Sequence, residues 1–449
     1  MMSKKLQVAV MLTLSMFAAT SGADEFHYNN ILVGDRASGM GGAYTAVSDD
    51  PGGMYYNPAG IAYSTGKSLS ASVNAYSVSN RTYKGVINGQ DWTRTSSTLL
   101  PNFFGIIQPV GKFKLGFSYA VPDSNQENQD QSFRSPNFYV YDQLGGIKNW
   151  GSVTQVINFN NKNDTNLFGP SAAVQLSDTF SIGATLYVHK RDTHAILNNT
   201  AQSDNQVIQV GANPDPSKDE YANVLINSYL ETDEWGLKPI VGAMWTPVDK
   251  VSLGLAVSKT IVLKSDVLSQ ATVTTNDPDF AVNSNIRLHE LNRSNDSLNS
   301  SSDKRKYPYQ VTLGAAFFPN SSLLLSGDLS YSSGFEYQFL GIKNKREAVI
   351  NGALGAEYYI NKSWAVRGGF FTDFANTPEV VQGGTDQKEH IDMFGGSMTV
   401  SHFTKNTSIS CGGSYKYGSG KSQVQGGNNA IQDASSDNWT IFVSSSYSY

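Results

Sequence analysis

The sequence predicts an all-β protein, a transmembrane antiparallel barrel of about fourteen strands, the even number such barrels use, with an N-terminal hatch inside its lumen. Three observations point there. Large apolar residues alternate with polar or small ones at period two along many stretches. These stretches are joined in turn by very short turns and by long polar links. Ahead of the first of them lies a segment so dense in glycine that it can be neither an ordinary helix nor a strand.

Residues 1–23 have the pattern of a secretory signal: Lys4 and Lys5, an apolar run from Leu6 to Ala19, then Ser21-Gly22-Ala23. The mature chain is expected to begin at Asp24. No later stretch approaches the roughly 18 apolar residues of a membrane helix. Glycine, serine, asparagine and tyrosine are abundant, and the single cysteine, Cys411, rules out an internal disulfide framework. A net charge of −5 carries no nucleic-acid footprint.

Residues 24–66 form the second unit, turn-rich from Gly34 to Gly60, with Asn57 biased towards extended or turn geometry by Pro58. A barrel of this size leaves an open lumen unless something fills it. The segment precedes the first strand on the periplasmic side, and the lumen is the best place for it to pack.

Residues 67–449 form the barrel. Phe113, Leu115, Phe117, Tyr119 and Val121 alternate with Lys114, Gly116, Ser118 and Ala120, and the pattern recurs over 180–188, 251–257 and 307–317. Short turns fall at Val110-Gly111, Ser177-Asp178, Pro247-Val248-Asp249, Pro319-Asn320, Asn361 and Thr404-Lys405-Asn406. The long links, about 122–164, 197–233 and 264–305, are expected to be extracellular loops. Stretches such as 153–160 and 221–230 are assigned to that loop structure; counting them as strands gives about sixteen. The last strand alternates Trp439, Ile441, Val443, Tyr447 and Tyr449. Its terminal aromatic is similar to the signal that barrel-assembly machinery recognises.

Ser38-Gly39-Met40-Gly41-Gly42-Ala43-Tyr44, then Ser48-Asp49-Asp50, then Asn57-Pro58-Ala59-Gly60 resemble the N-terminal hatch of the FadL family, outer-membrane channels for long-chain fatty acids and other hydrophobic compounds. The stretch Val366 to Phe370, with Thr372-Asp373, Pro378 and His390, resembles that family's C-terminal part. PorV-like secretion-shuttle barrels share a similar opening. The FadL resemblance implies capture of a hydrophobic ligand in the lumen, a shift of the hatch, and lateral release through a gap made by a kinked third strand. Gly41, Gly42, Asp49, Asp50, Asn57, Pro58 and Ala59 are then the hatch and gating positions. Gly116, the one interior residue of the third strand that bends easily, either marks the gap or makes room for the hatch.

Strand parity turns Arg367, Asp328 and Glu357 into the lumen, with Arg191 and Lys238 nearer the extracellular rim. Arg367, Arg191 and Lys238, with Phe26, are the ligand-binding candidates, since a lumenal cation can hold a carboxylate. The other reading of Arg367, and the one favoured over ligand binding, is pairing with lumenal carboxylates or with hatch carbonyls around Asp49 and Asp50. Phe138, Tyr139, Val140, Tyr141 and Trp150 suit a capture groove or a protein contact.

Catalytic and cofactor motifs fail. Gly418-Ser419-Gly420-Lys421-Ser422 is similar to a phosphate loop, but Tyr415 stands where its first glycine belongs, and His289-Glu290 meets Arg293 where a second histidine is needed. No catalytic residue, metal site or cofactor is expected. The expected partners are a hydrophobic small molecule, outer-membrane lipid and the assembly machinery acting on Tyr449. A PorV-like barrel holding a secreted protein, or a surface adhesin, is the alternative.

Overall fold

In the computed structural model the described residues are 26–87, 89–141, 147–204, 208–210, 223–275, 292–295, 299–384, 387–424 and 431–448. The expected signal and Tyr449 lie outside them, as do the side chains of Phe138, Tyr139, Val140, Tyr141 and Trp150.

Among the described residues, fourteen antiparallel strands close into one barrel. In order they are β1 Ser68–Ile87, β2 Gln90–Val110, β3 Phe113–Tyr141, β4 Ile147–Ser177 and β5 Phe180–Ser203. Then come β6 Asn223–Val248, β7 Val251–Lys259 with its continuation Ile261–Thr275, β8 Tyr309–Asn320, β9 Leu323–Ser332 and β10 Val349–Asn361. The ring finishes with β11 Trp364–Asp373, β12 His390–Phe403, β13 Thr407–Ser422 and β14 Gln432–Ser448. Each strand pairs with its neighbours in the chain, and β14 returns to β1 from Ser68↔Ser448 to Tyr83↔Ala434, which leaves no free sheet edge.

The outer face explains the alternation. On β6 it runs Trp235, Leu237, Pro239, Val241, Ala243 and Trp245, apolar throughout and bounded by indoles. That length of strand, about 33 Å, spans about 25 Å of bilayer at the usual tilt. Just above Trp235 the face turns ionic: Lys190 pairs with Asp192 at 2.8 Å and Asp233 at 2.7 Å, and its ammonium lies 4.7 Å from the Trp235 ring centre. A continuous exposed apolar band between such girdles is the surface of a transmembrane barrel.

The long links expected at 122–164, 197–233 and 264–305 are corrected by the strands. Among the described residues they are mostly strand: β3 runs to Tyr141, β4 starts at Ile147, and β7 continues to Thr275. Segments 153–160 and 223–230 extend β4 and β6, so the number of strands stays at fourteen. The cause is a reversal of polarity along one strand. On β5 the apolar residues Ile182, Leu186 and Val188 face outward up to Lys190, whereas beyond it Ala195 and Leu197 are buried inward. Above the bilayer the outer face is wet and the inner faces meet one another. There Trp92, Phe133, Ile157, Phe159, Leu197 and Met393 form a buried apolar cluster. Asparagine-rich outer positions hide this inner stripe from a reading tuned to an apolar exterior.

Candidate functional site

The segment between Phe26 and Gly66 packs against inward-facing residues round the wall. It holds two short helices, α1 Asp35–Gly39 and α2 Gly53–Tyr56, and a 3-10 turn Pro58–Tyr63. Gly34, Gly41 and Gly42 take positive φ, at 81°, 65° and 82°, which the chain reversals around α1 require. The wall meets this backbone with polar side chains. Asp328 Oδ2 accepts from Tyr44 N at 3.0 Å and Thr45 N at 2.9 Å, Ser181 Oγ donates to Ala59 O at 2.9 Å, and Ser397 Oγ accepts from Gly41 N at 3.0 Å.

Asn57 has three bonds. Its Oδ1 caps the 3-10 turn by accepting from Ala59 N at 3.1 Å, and its Nδ2 donates to Thr45 O at 2.8 Å and to Ala243 O of β6 at 3.1 Å. Pro58 and Ala59 are buried behind it. Asp49 accepts from Arg36 at 2.6 Å. The Asp50 carboxyl is pushed up to about 6, by burial first and then by the charge of Asp49, against the pull of Arg36.

Above this segment lies a cavity of about 240 Å³, near the lower end of ligand-pocket sizes. Its floor includes Gly42, Thr45, Tyr55 and Tyr56, and its walls include Leu167, Ile240 and Ala256. Arg191, Lys238, Arg305 and Arg346 add cationic groups. Glu234 partly balances them: it accepts from Tyr307 Oη at 2.7 Å, lies 3.0 Å from His189 Nε2, and stands 3.9 Å from Arg305 Nη1. Lys238 differs. Among the described residues it makes no hydrogen bond or ion pair, and its ammonium lies 5.3 Å from the Tyr55 ring centre.

The structure separates the cations proposed from the sequence. Arg191 and Lys238 line the cavity. Arg367 is corrected: it lies off the cavity, donating to Glu357 at 2.7 Å and to Ser401 at 2.5 Å, with Asp35 at 3.9 Å. Arg36 donates to the same Glu357, so this carboxylate joins two guanidiniums of the wall and the N-terminal segment. Arg367 therefore has the pairing role, its Nε and Nη1 both engaged by neighbours in the wall. Phe26 is buried off the cavity as well, with the Arg346 guanidinium 5.1 Å from its ring centre.

Gly116 is also corrected as the site of a break in the wall. The ladder is continuous there, Gly116 pairing with Ile107 and Ser171, and a Cβ would stand 2.4 Å from Met54 Sδ. Its missing side chain makes room for α2. The break lies higher. β2 and β3 pair at Ser96↔Glu127 and again at Phe103↔Ala120, with no pairs between, so 97–102 and 121–126 face each other unbonded. The β3–β4 register also shifts between Ala120 and Asp123. Pro101 and Pro122 stand on opposite sides of this slot, each lacking the N–H a ladder needs. Ile31 N donates to Pro122 O at 3.2 Å, tying the N-terminal segment to the slot's edge. Two prolines inside strand-patterned stretches were the signal in the sequence for this opening.

The architecture is the FadL fold. The crystal structure of a Pseudomonas aeruginosa FadL homologue superimposes with a TM-score of 0.60 at 14% identity, covering 94% of this chain and 99% of that one. The Ralstonia pickettii toluene transporter TbuX gives 0.55 at 16% identity, with 94% and 99% covered. The P. putida toluene transporter TodX gives 0.56 at 13% identity, again with 94% and 99% covered. No protein-family model matches the sequence, and no curated protein does.

Proposed function

We propose that this chain is an outer-membrane channel that takes up hydrophobic small molecules, fatty acids or aromatic hydrocarbons. The N-terminal segment acts as a hatch, the cavity above it as the capture site, and the slot between β2 and β3 as the lateral exit. The observation that carries the reading is the unpaired stretch 97–102 against 121–126, set beside a lumen occupied by the chain's own backbone. Lateral release keeps an apolar solute out of water, which otherwise costs about 0.8 kcal/mol per CH₂. The neighbours named as toluene transporters support the same class of solute.

Lys238 is the group we assign to an anionic head, because its neighbours leave its charge unanswered. The tyrosines and Ile240 offer the apolar contact. The exposed band then faces outer-membrane lipid, and the assembly machinery reads Tyr449.

The test is uptake across a closed slot. In a Cys411→Ser background, Thr98→Cys and Asn125→Cys are joined by a bis-maleimide, and cells are given labelled oleate or toluene. Binding that persists while uptake stops fits the proposal; unchanged uptake removes the lateral exit. Absence of saturable binding of either solute, with a secreted protein co-purifying, favours the PorV-like alternative.

A further inference from the structure

The connection between β9 and β10 stands apart from the ring. Phe335–Phe339 and Ile342–Arg346 form a two-stranded sheet of their own, outside the barrel ladder. Phe335, Tyr337 and Arg346 line the cavity, so the hairpin leans inward over it.

Its tip is fastened across the lumen. Leu340 N donates to Asp303 Oδ2 at 2.7 Å. Phe339 and Leu340 pack on the buried cluster Ala195, Leu230 and Val267 of β5, β6 and β7. The Arg305 guanidinium lies 4.5 Å from the Phe339 ring centre. Leu340 also holds a φ of +50°, beside Gly341 at +76°. Asparagine or glycine suits the first of two such positions and leucine does not. The side chain that makes the apolar contact therefore occupies a backbone site that disfavours it, as expected where strain serves a function.

Arg305 belongs to two structures at once. It supports Phe339 from below and is part of the cavity wall, where Thr232 Oγ1 at 3.4 Å and Glu234 at 3.9 Å are among its neighbours. We propose that the hairpin is a latched lid over the cavity, and that Arg305 is a specificity-determining residue. An anionic head that reaches Arg305 draws the guanidinium off Phe339 and loosens the tip, whereas a neutral solute does not. This rests on the channel reading for the identity of the cavity, and extends it to which solutes gain access.

The lid is tested without any ligand. In Cys411→Ser protein, Ala256→Cys places a thiol on the cavity wall, to be labelled by a small water-soluble methanethiosulfonate. Labelling is expected to be about tenfold faster when Leu340→Gly or Asp303→Ala is added, as for any latch that sets a local opening equilibrium. Using both variants, checked for barrel folding by heat-shifted gel mobility, guards against a defect of one. Equal labelling rates with and without the latch overturn the lid.

The selector is read from association rates of anthracene-9-carboxylate and 9-methylanthracene. Arg305→Met, which removes both the hold on Phe339 and the charge that answers the anion, is expected to shrink the carboxylate's rate advantage over the neutral probe by about tenfold. An unchanged ratio of the two rates overturns the role of Arg305. If neither probe binds the unaltered protein, the selector and the channel reading both fail, while the labelling comparison still decides the lid.

Discussion

Gly183 and Gly242 face each other across β5 and β6, and a Cβ on Gly183 would stand 2.4 Å from the carbonyl carbon of Pro58. The arrangement repeats. Gly254 and Gly314 are partners on β7 and β8 against Thr45 and Ala46, and Gly355 and Gly369 are partners on β10 and β11 against Met40 and Gly41. Paired glycines thus open flat recesses in the wall in which the N-terminal backbone rests.

Filling a recess should displace that backbone. A Cβ on Gly242 would lie 1.9 Å from Asn57 Oδ1, so Gly242→Val leaves no room for the Asn57 side chain as placed. Overpacking of this kind costs about 1–3 kcal/mol. Planar-bilayer recordings are expected to show ion conductance in Gly242→Val that is absent from the unaltered protein. Equal conductance would mean the segment does not block the bore.

Asn57→Ala removes a cap and two bonds to carbonyl oxygens. Loss of the cap alone costs about 1 kcal/mol, and each buried carbonyl left unsatisfied adds about 1–3 kcal/mol. Hydrogen exchange should accelerate over 39–63 and stay slow in the strands. Uniform acceleration would make Asn57 a determinant of the whole barrel.

Asp50 gives the N-terminal segment a pH dependence. Its folded pKa of about 6 is raised by burial and Asp49, with Arg36 opposing, above the ordinary aspartate value of about 3.9. The folded segment therefore holds the proton more tightly than the unfolded one. Its contribution to stability is full below about pH 4 and is lost as pH rises through about 6. Exchange at Gly52–Asn57 should quicken over that interval, and Asp50→Asn should flatten the slope. The same slope in both proteins would assign it to another group.

The buried Glu357 pairs with Arg36 and Arg367. Glu357→Ala leaves two guanidiniums without it, a loss of about 3–5 kcal/mol, measurable as a lowered thermal unfolding temperature. A drop no larger than that of a surface pair would show the cluster to be well hydrated.

The sequence made the transmembrane part of the barrel legible because one physical pattern, apolar outward and small or polar inward, persists from Phe113 through Val257 to Trp439. It did not reveal the upper wall, where Ile157, Phe159 and Leu197 turn inward and the outer face is asparagine-rich. Arg191 and Lys238 were placed on the lumen by parity alone, and both line the cavity. Parity could not exclude Arg367, because it says which way a side chain points and nothing of the carboxylates it meets. Glu234, Tyr307 and Arg305 come together from distant strands and links, and no local spacing announces them.

A ligand seated above the N-terminal segment at Lys238 is tested most directly by binding to purified protein. Anthracene-9-carboxylate should bind saturably at one site. Lys238→Met should weaken it by about tenfold to a hundredfold, the worth of one charge-assisted hydrogen bond, while Arg367→Met leaves affinity unchanged in protein that remains folded. No saturable binding, or an equal loss from both substitutions, would contradict it.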